Sequence, residues 1–137
     1  MTQFNFSKWN TLLGWLAFAI ALITYSLTVE PTASFWDAGE YISTASKLEI
    51  GHPPGAPLYQ IMGAFFSIFA PDNTYIALAV NYMSCLASAF AVLFMFWSLT
   101  LLLRKALKTN NEVIDVVKQK AILALSLIHI SEPTRPY

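Results

Sequence analysis

The chain has 137 residues, of which 56% are hydrophobic, 15% aromatic and only 12% charged, against about 25% charged in a soluble domain. With a mean hydropathy of +0.53, that deficit points to a bilayer as part of the solvent. The formal net charge of zero excludes a global basic field for nucleic acid, and the lone Cys85 excludes a disulfide framework and a thiolate zinc cluster.

In chain order, Thr11 to Val29 carries no charge. At ~1.5 Å per residue this run covers most of a hydrocarbon core of ~30 Å, so it reads as a retained signal anchor. It is longer than the apolar core of a cleaved leader, and only Lys8 stands before it. Glu30 and Pro31 close it. Ser34 and Asp37 have the spacing of a capping box, and Asp37 can itself cap the helix that follows. The pattern predicts a short helix over 38–48 with Ile42, Ala45 and Leu48 on one side, ended by Gly51. Asp37, Glu40 and Tyr41 can share a face of it. The run His52-Pro53-Pro54-Gly55-Ala56-Pro57 cannot be regular helix, because Pro54 and Pro57 lack a donor and constrain the residue before them. Pro57 suits the first turn of a second helix, over 57–70. That helix is short for a span and reads as juxtamembrane. Pro71-Asp72-Asn73 forms a turn.

Tyr75 to Leu103 is a second uncharged run, long enough to cross with tilt. Its Ser84/Ser88 and Ala87/Ala91 pairs predict close helix packing, and Asn81 predicts a hydrogen bond to a neighbouring helix. Cys85 reads as an inert apolar thiol. Residues 104–120 then carry Arg104, Lys105, Lys108, Lys118 and Lys120 against Glu112 and Asp115. Residues 30–74 carry Glu30, Asp37, Glu40, Glu49 and Asp72 against Lys47 alone. The positive-inside rule puts the basic segment and the N-terminus in the cytoplasm and the loop 30–74 outside. The expected fold is therefore an all-α integral membrane protein. Two transmembrane helices (about 11–29 and 75–103) flank an outer loop holding two juxtamembrane helices. Ala121 to Ala124 reads as the beginning of a third span.

Residues 125–137 stand apart. Leu125 to Arg135 resembles the translation of a transposase adaptor used in sequencing libraries, so residues 1–124 read as native and 125–137 as read-through. The chain then reads as an N-terminal fragment of a longer protein, inactive by itself.

The chemistry concentrates between Phe35 and Tyr59. Asp37 and Glu40 begin a helix beside Phe35 and Trp36. A carboxylate among aromatics at an interface can have a raised pKa and act as a base. Equally, Asp37 can simply cap the helix and Glu40 can be a solvated first-turn acid favoured by the macrodipole. His52 alone can cap a turn. There is no phosphate-binding glycine loop, HExxH or nucleophile elbow, and one histidine with scattered acids makes no metal ligand set.

The segments Phe35-Trp36-Asp37-Ala38-Gly39-Glu40 and Gly51-His52-Pro53-Pro54-Gly55-Ala56-Pro57-Leu58 resemble the paired hallmarks of the bacterial protein O-mannosyltransferase-like family, within the C superfamily of membrane glycosyltransferases. That family is common in Bacteroidetes. Both motifs are complete, and the resemblance covers about residues 8 to 108. It implies the N-terminal part of a glycosyltransferase C fold in the bacterial inner membrane, with loop 30–74 periplasmic. It implies a polyprenyl-phosphate sugar, mannose above all, as donor and a protein Ser or Thr hydroxyl as acceptor. Membrane lipid would be its surroundings, with no cofactor, no metal and no nucleic acid. Asp37 is the implied general base of an inverting transfer, and Glu40 a second acid positioning acceptor or base. Trp36, His52, Pro53 and Pro54 form the implied substrate-contacting set. In it His52 orients the loop or meets the donor phosphate, and the prolines fix the turn. The eukaryotic protein mannosyltransferases have adjacent Asp and Glu, whereas two residues separate Asp37 from Glu40 here. Two other readings are a glycosyltransferase acting on lipid or cell-wall glycan, and a non-enzymatic membrane module.

Overall fold

A computed structural model describes residues 4–34, 36–107 and 115–131. All regular structure among them is helical: α1 Phe6–Thr28, α2 Ala38–Lys47, α3 Pro57–Ser67, a 3-10 turn Asn73–Tyr75, α4 Ile76–Leu107 and α5 Val116–Ser131. Two helical stretches, Phe6–Thr28 and Asn73–Leu107, are long and apolar enough to cross a membrane. The first starts ahead of the expected span 11–29 and stops one residue short of its end, and the second runs past the expected span 75–103 at both ends. α5, at sixteen residues, falls short of the ~20 a span needs.

The chain divides into two compact units. Residues 22–88 form one, which holds α2, α3 and the adjoining parts of α1 and α4. Its core is Ile42, Val80 and Met83, with Tyr59, Phe66, Ile76 and Ala77 packed against it. α2 is otherwise a polar helix, and Ile42, Thr44 and Ala45 are its buried residues. Against water, burying a side chain of the Ile42 class contributes ~1.5–3 kcal/mol. α2 and α3 approach closely because Gly63 is buried and presents no β-carbon: one built there would lie 2.7 Å from Ala45 Cβ. Asn81 on α4 donates to the carbonyls of Glu30 (2.8 Å) and Thr32 (3.1 Å). Its partners thus lie in the turn leaving α1 and not in a neighbouring helix, since Glu30 and Thr32 follow Thr28, the last residue of α1. Cys85 Sγ sits 3.6 Å from the Tyr25 carbonyl, half-buried.

Several local expectations are corrected. Asp37 is the N-cap of α2 but makes no side-chain cap bond, and the Ser34–Asp37 capping box does not form. The Asp37 backbone is helical (φ −80°, ψ −1°) and not in the extended conformation that aims a capping oxygen at the next turn's N–H groups. Leu48, not Gly51, ends α2: it takes a left-handed conformation (φ 53°), and the N–H groups of Leu48 and Glu49 close on Ala45 and Thr44. Leu48 is therefore off the buried face and exposed. Pro57 opens α3 as expected, but the helix stops at Ser67, and Phe69 and Ala70 continue as a turn bonded to Phe66 and Ser67. The turn at Pro71–Asn73 is capped by Asp72, whose carboxylate accepts from Thr74 N–H (2.8 Å) and pairs closely with its hydroxyl. Ser84, Ala87, Ser88 and Ala91 are all exposed.

The second unit comprises residues 1–21 and 89–137. Here α1 and α4 meet large on small. Gly14 is buried, and a β-carbon there would collide with the indole nitrogen of Trp97. Trp97 Nε1 donates to the Asn10 carbonyl at 3.3 Å. Trp15 meets Phe18 and Trp97 edge-on, and Phe18 meets Phe90 at 4.8 Å. Leu93, Phe96 and Thr100 of α4 and Ile122, Leu123 and Ser126 of α5 are buried. The hydroxyls of Thr100 and Ser126 return to carbonyls of their own helices, at 2.9 Å each, which satisfies them without a polar partner elsewhere.

Candidate functional site

The site is built on α2, α3 and the turn between them, within the 22–88 unit. Glu40 lies one turn into α2, and both its oxygens face the connecting turn. Oε1 accepts the His52 backbone N–H at 2.8 Å and Oε2 pairs with His52 Nδ1 at 2.9 Å. This two-point grip fixes the imidazole with Nδ1 toward the carboxylate, so Nε2 is the free nitrogen. The contact raises the His52 pKa above its ordinary value: the side-chain hydrogen bond to Glu40 contributes most, followed by that residue's charge, with a smaller push from Asp37. Glu40 is held below the usual carboxylate range, chiefly by the His52 backbone N–H and then by its ring. The pair is open to solvent and is the only salt bridge among the described residues.

Gly51 lies against the pair: a β-carbon there would sit 3.4 Å from Glu40 Oε1 and 3.6 Å from Gln60 Nε2, within ordinary contact distance. The turn itself is closed by Gly55 N–H on the His52 carbonyl at 3.0 Å, with a cis Pro53–Pro54 peptide and Gly55 at φ 74°. Tyr41 stands edge-on to His52 (6.0 Å) and to Tyr59 (5.5 Å). Burial, followed by the proximity of Tyr41, pushes the Tyr59 hydroxyl pKa up.

Beneath the pair, two residues that the sequence reading did not single out join the helices. Gln60 on α3 is buried and donates through Nε2 to Thr44 Oγ1 at 2.8 Å, and that hydroxyl donates to the Glu40 carbonyl at 2.8 Å. Gln60 Oε1 is buried without a partner among the described residues. The signal was present: Gln60 is the one amide in the apolar run of α3. A cavity of about 350 Å³ opens over Gln60 and Ile61, between residues 48–51 and 54–57.

The structure brings together Glu40 and His52 of the expected site residues. Asp37 is exposed at the start of α2, and no hydrogen bond engages its carboxylate among the described residues; its carbonyl accepts from Tyr41 N–H at 2.9 Å. Trp36 is 94% exposed, with a left-handed φ of 63° that L side chains rarely adopt. Pro53 and Pro54 are exposed. Phe35 lies outside the described residues. No group of three or more potential metal ligands gathers among the described residues.

The fold and this loop define an all-helical protein with two apolar helices of membrane-crossing length and a carboxylate–imidazole pair between two short helices. Residues 37–130 match the family model described as the protein O-mannosyl-transferase TMEM260 N-terminal domain, and the chain belongs to that family. It is 38% identical over 82 residues to a protein O-mannosyl-transferase tmem260 of Dictyostelium discoideum, a stretch covering 59% of this chain and 10% of the relative. It is 30% identical over 81 residues to protein O-mannosyl-transferase TMEM260 of Mus musculus, covering 59% of this chain and 11% of that relative. The matched stretch thus spans about a tenth of either relative. The family match contains Asp37, Glu40, His52, Pro53 and Pro54, begins one residue after Trp36, and ends within residues 125–137. No solved structure matches the chain.

Proposed function

We propose that the whole protein transfers mannose from a polyprenyl-phosphate donor to a Ser or Thr hydroxyl of a protein on the outer face of a membrane, the bacterial inner membrane by resemblance. The transferase class is supported by the names of the relatives. The assignment of roles rests on one observation: His52 occupies both oxygens of Glu40, whereas the Asp37 carboxylate, three residues earlier, has no hydrogen bond among the described residues. A base must be free to take a proton, and Asp37 meets that requirement where Glu40 does not.

In this reading Asp37 removes the proton of the acceptor hydroxyl as its oxygen attacks the anomeric carbon. The bond from that carbon to the phosphate oxygen breaks, its electron pair leaves with polyprenyl phosphate, and the configuration inverts. Glu40 acts through His52, holding Nδ1 and the turn so that the rest of the ring faces the donor phosphate. Lys47 is the only Lys or Arg of residues 30–74, which supports His52 as the cation nearest the acids. Pro53, Pro54 and the exposed Trp36 ring shape the approach.

The test is transfer to an acceptor peptide by the full-length protein from a polyprenyl-linked donor. Asp37→Asn should lower the rate by a factor of ~10²–10⁴, the range for loss of a general base. Undiminished transfer would remove Asp37 from the role.

A further inference from the structure

A second charged feature lies in the unit of residues 1–21 and 89–137, far along the chain from the loop. Asn5 caps α1 by accepting the Lys8 N–H at 3.1 Å, which sets Lys8 in the first turn of that helix. The Arg104 guanidinium, in the last turn of α4, lies 5.1 Å over the Phe6 ring. The Lys120 ammonium, near the start of α5, lies 5.6 Å over the Phe4 ring. These two contacts bring the beginning of α1, the end of α4 and the beginning of α5 to one end of the unit. Lys105 and Lys118 are exposed beside them in sequence, as are Lys8, Arg104 and Lys120.

Among the described residues none of these five cations has a carboxylate partner, since the only salt bridge there joins Glu40 and His52. Of the two acids of residues 104–120, Glu112 lies outside the described residues and Asp115 accepts the Val116 N–H at 2.7 Å at the start of α5. Two cations rest on aromatic faces, which favours a desolvated cation without neutralising it. The cluster also marks where apolar helix surface stops: Phe6–Thr28 leads away from it, and Asn73–Leu107 ends at it. What complements it must bring several negative charges to the edge of a hydrocarbon layer, one from each of several anions.

We propose that this end of the helices is a binding surface for anionic phospholipid headgroups, phosphatidylglycerol in character, with Arg104, Lys105, Lys118 and Lys120 as its cations. The surface is independent of the glycosyl-transfer reading. Phosphate oxygens would meet the outward donors of these side chains while the acyl chains lie along α1 and α4. A polybasic segment at a membrane surface gains ~1 kcal/mol for each Lys or Arg, or about a factor of five in affinity.

The test uses the full 137-residue chain in detergent with equimolar phosphatidylcholine and phosphatidylglycerol, and native mass spectrometry counts the lipid retained. The unsubstituted chain should retain phosphatidylglycerol in preference. Each of Arg104→Gln, Lys105→Gln, Lys118→Gln and Lys120→Gln should cut that preference about fivefold, whereas Lys47→Gln in the loop should leave it unchanged. Added salt should erode the preference of the unsubstituted chain, so the reading stands or falls even where a substituted chain fails to fold. Equal retention of the two lipids, a preference insensitive to salt, or equal displacement by Lys47→Gln would overturn it. Full competition by inorganic phosphate at the lipid's concentration would overturn the headgroup as source.

Discussion

The contact between α2 and α3 is the mechanical basis of the loop, and Gly63→Ala tests it directly. A β-carbon at position 63 would stand 2.7 Å from Ala45 Cβ, with Val80 Cγ1 at 3.7 Å and Tyr59 Cε1 at 4.0 Å. The last two are ordinary contacts, but the first is about 1 Å too short for carbon atoms, which rest at ~3.5–4.0 Å. Ala45 is fully buried and its β-carbon cannot rotate away, so the helices must part. Overpacking of this kind costs ~1–3 kcal/mol. Replacing a mid-helix glycine by alanine returns up to ~1 kcal/mol of helix propensity. The net effect should be a loss of roughly 0–2 kcal/mol, too near zero to decide the matter alone. The double-mutant cycle decides it. Ala45→Gly restores the clearance, so the cost of Gly63→Ala in that background should fall by ~1–3 kcal/mol. Thermal unfolding in detergent, followed by circular dichroism, gives the four stabilities. Additivity within ~0.5 kcal/mol would mean that the two positions do not touch.

The remaining predictions concern the polar groups on that scaffold. Glu40→Gln should lower the His52 pKa, read from its ring nitrogens by NMR; an unmoved midpoint would mean the pair does not form. His52 is raised in the folded chain, so its share of the pair's stability is full below its unfolded pKa and fades as pH rises through the folded one. Glu40 is depressed, so its share is present above its unfolded pKa and lost as pH falls through the folded one. Protection of the His52 amide from exchange, corrected for intrinsic rate, should therefore be greatest between those limits. Gln60→Leu should be nearly neutral in thermal unfolding, because it also removes the unpartnered Oε1. Thr44→Val should cost ~1–3 kcal/mol, because it leaves both polar atoms of a buried amide unpaired. The reverse order would refute the Thr44–Gln60 bond.

The long helices and the entry to α3 were legible because their causes are local: an unbroken apolar run needs no partner to declare itself, and Pro57 fixes its own φ. The end of α2 was not. Gly51 is the natural left-handed residue of that segment, yet Leu48 takes that conformation. The face shared by Asp37, Glu40 and Tyr41 follows from helical spacing. The grip of Glu40 on His52 crosses twelve residues and depends on how a proline turn folds back, which no periodicity encodes. The same holds for Thr44 and Gln60, sixteen residues apart. Among the small residues, Gly14 and Gly63 are buried in close contacts, whereas the serine and alanine pairs of α4 are exposed.

Asn81 gives the chain a timetable. The carbonyls of Glu30 and Thr32 that it holds are made 51 and 49 residues before it. At the ~5–20 residues per second of synthesis, they wait roughly 3–10 s for their donor. Until then, water or the insertion machinery must satisfy the exit of the first apolar helix. Its final placement is thus deferred until the second has begun to emerge, and the loop that carries Asp37, Glu40 and His52 is enclosed between the two events.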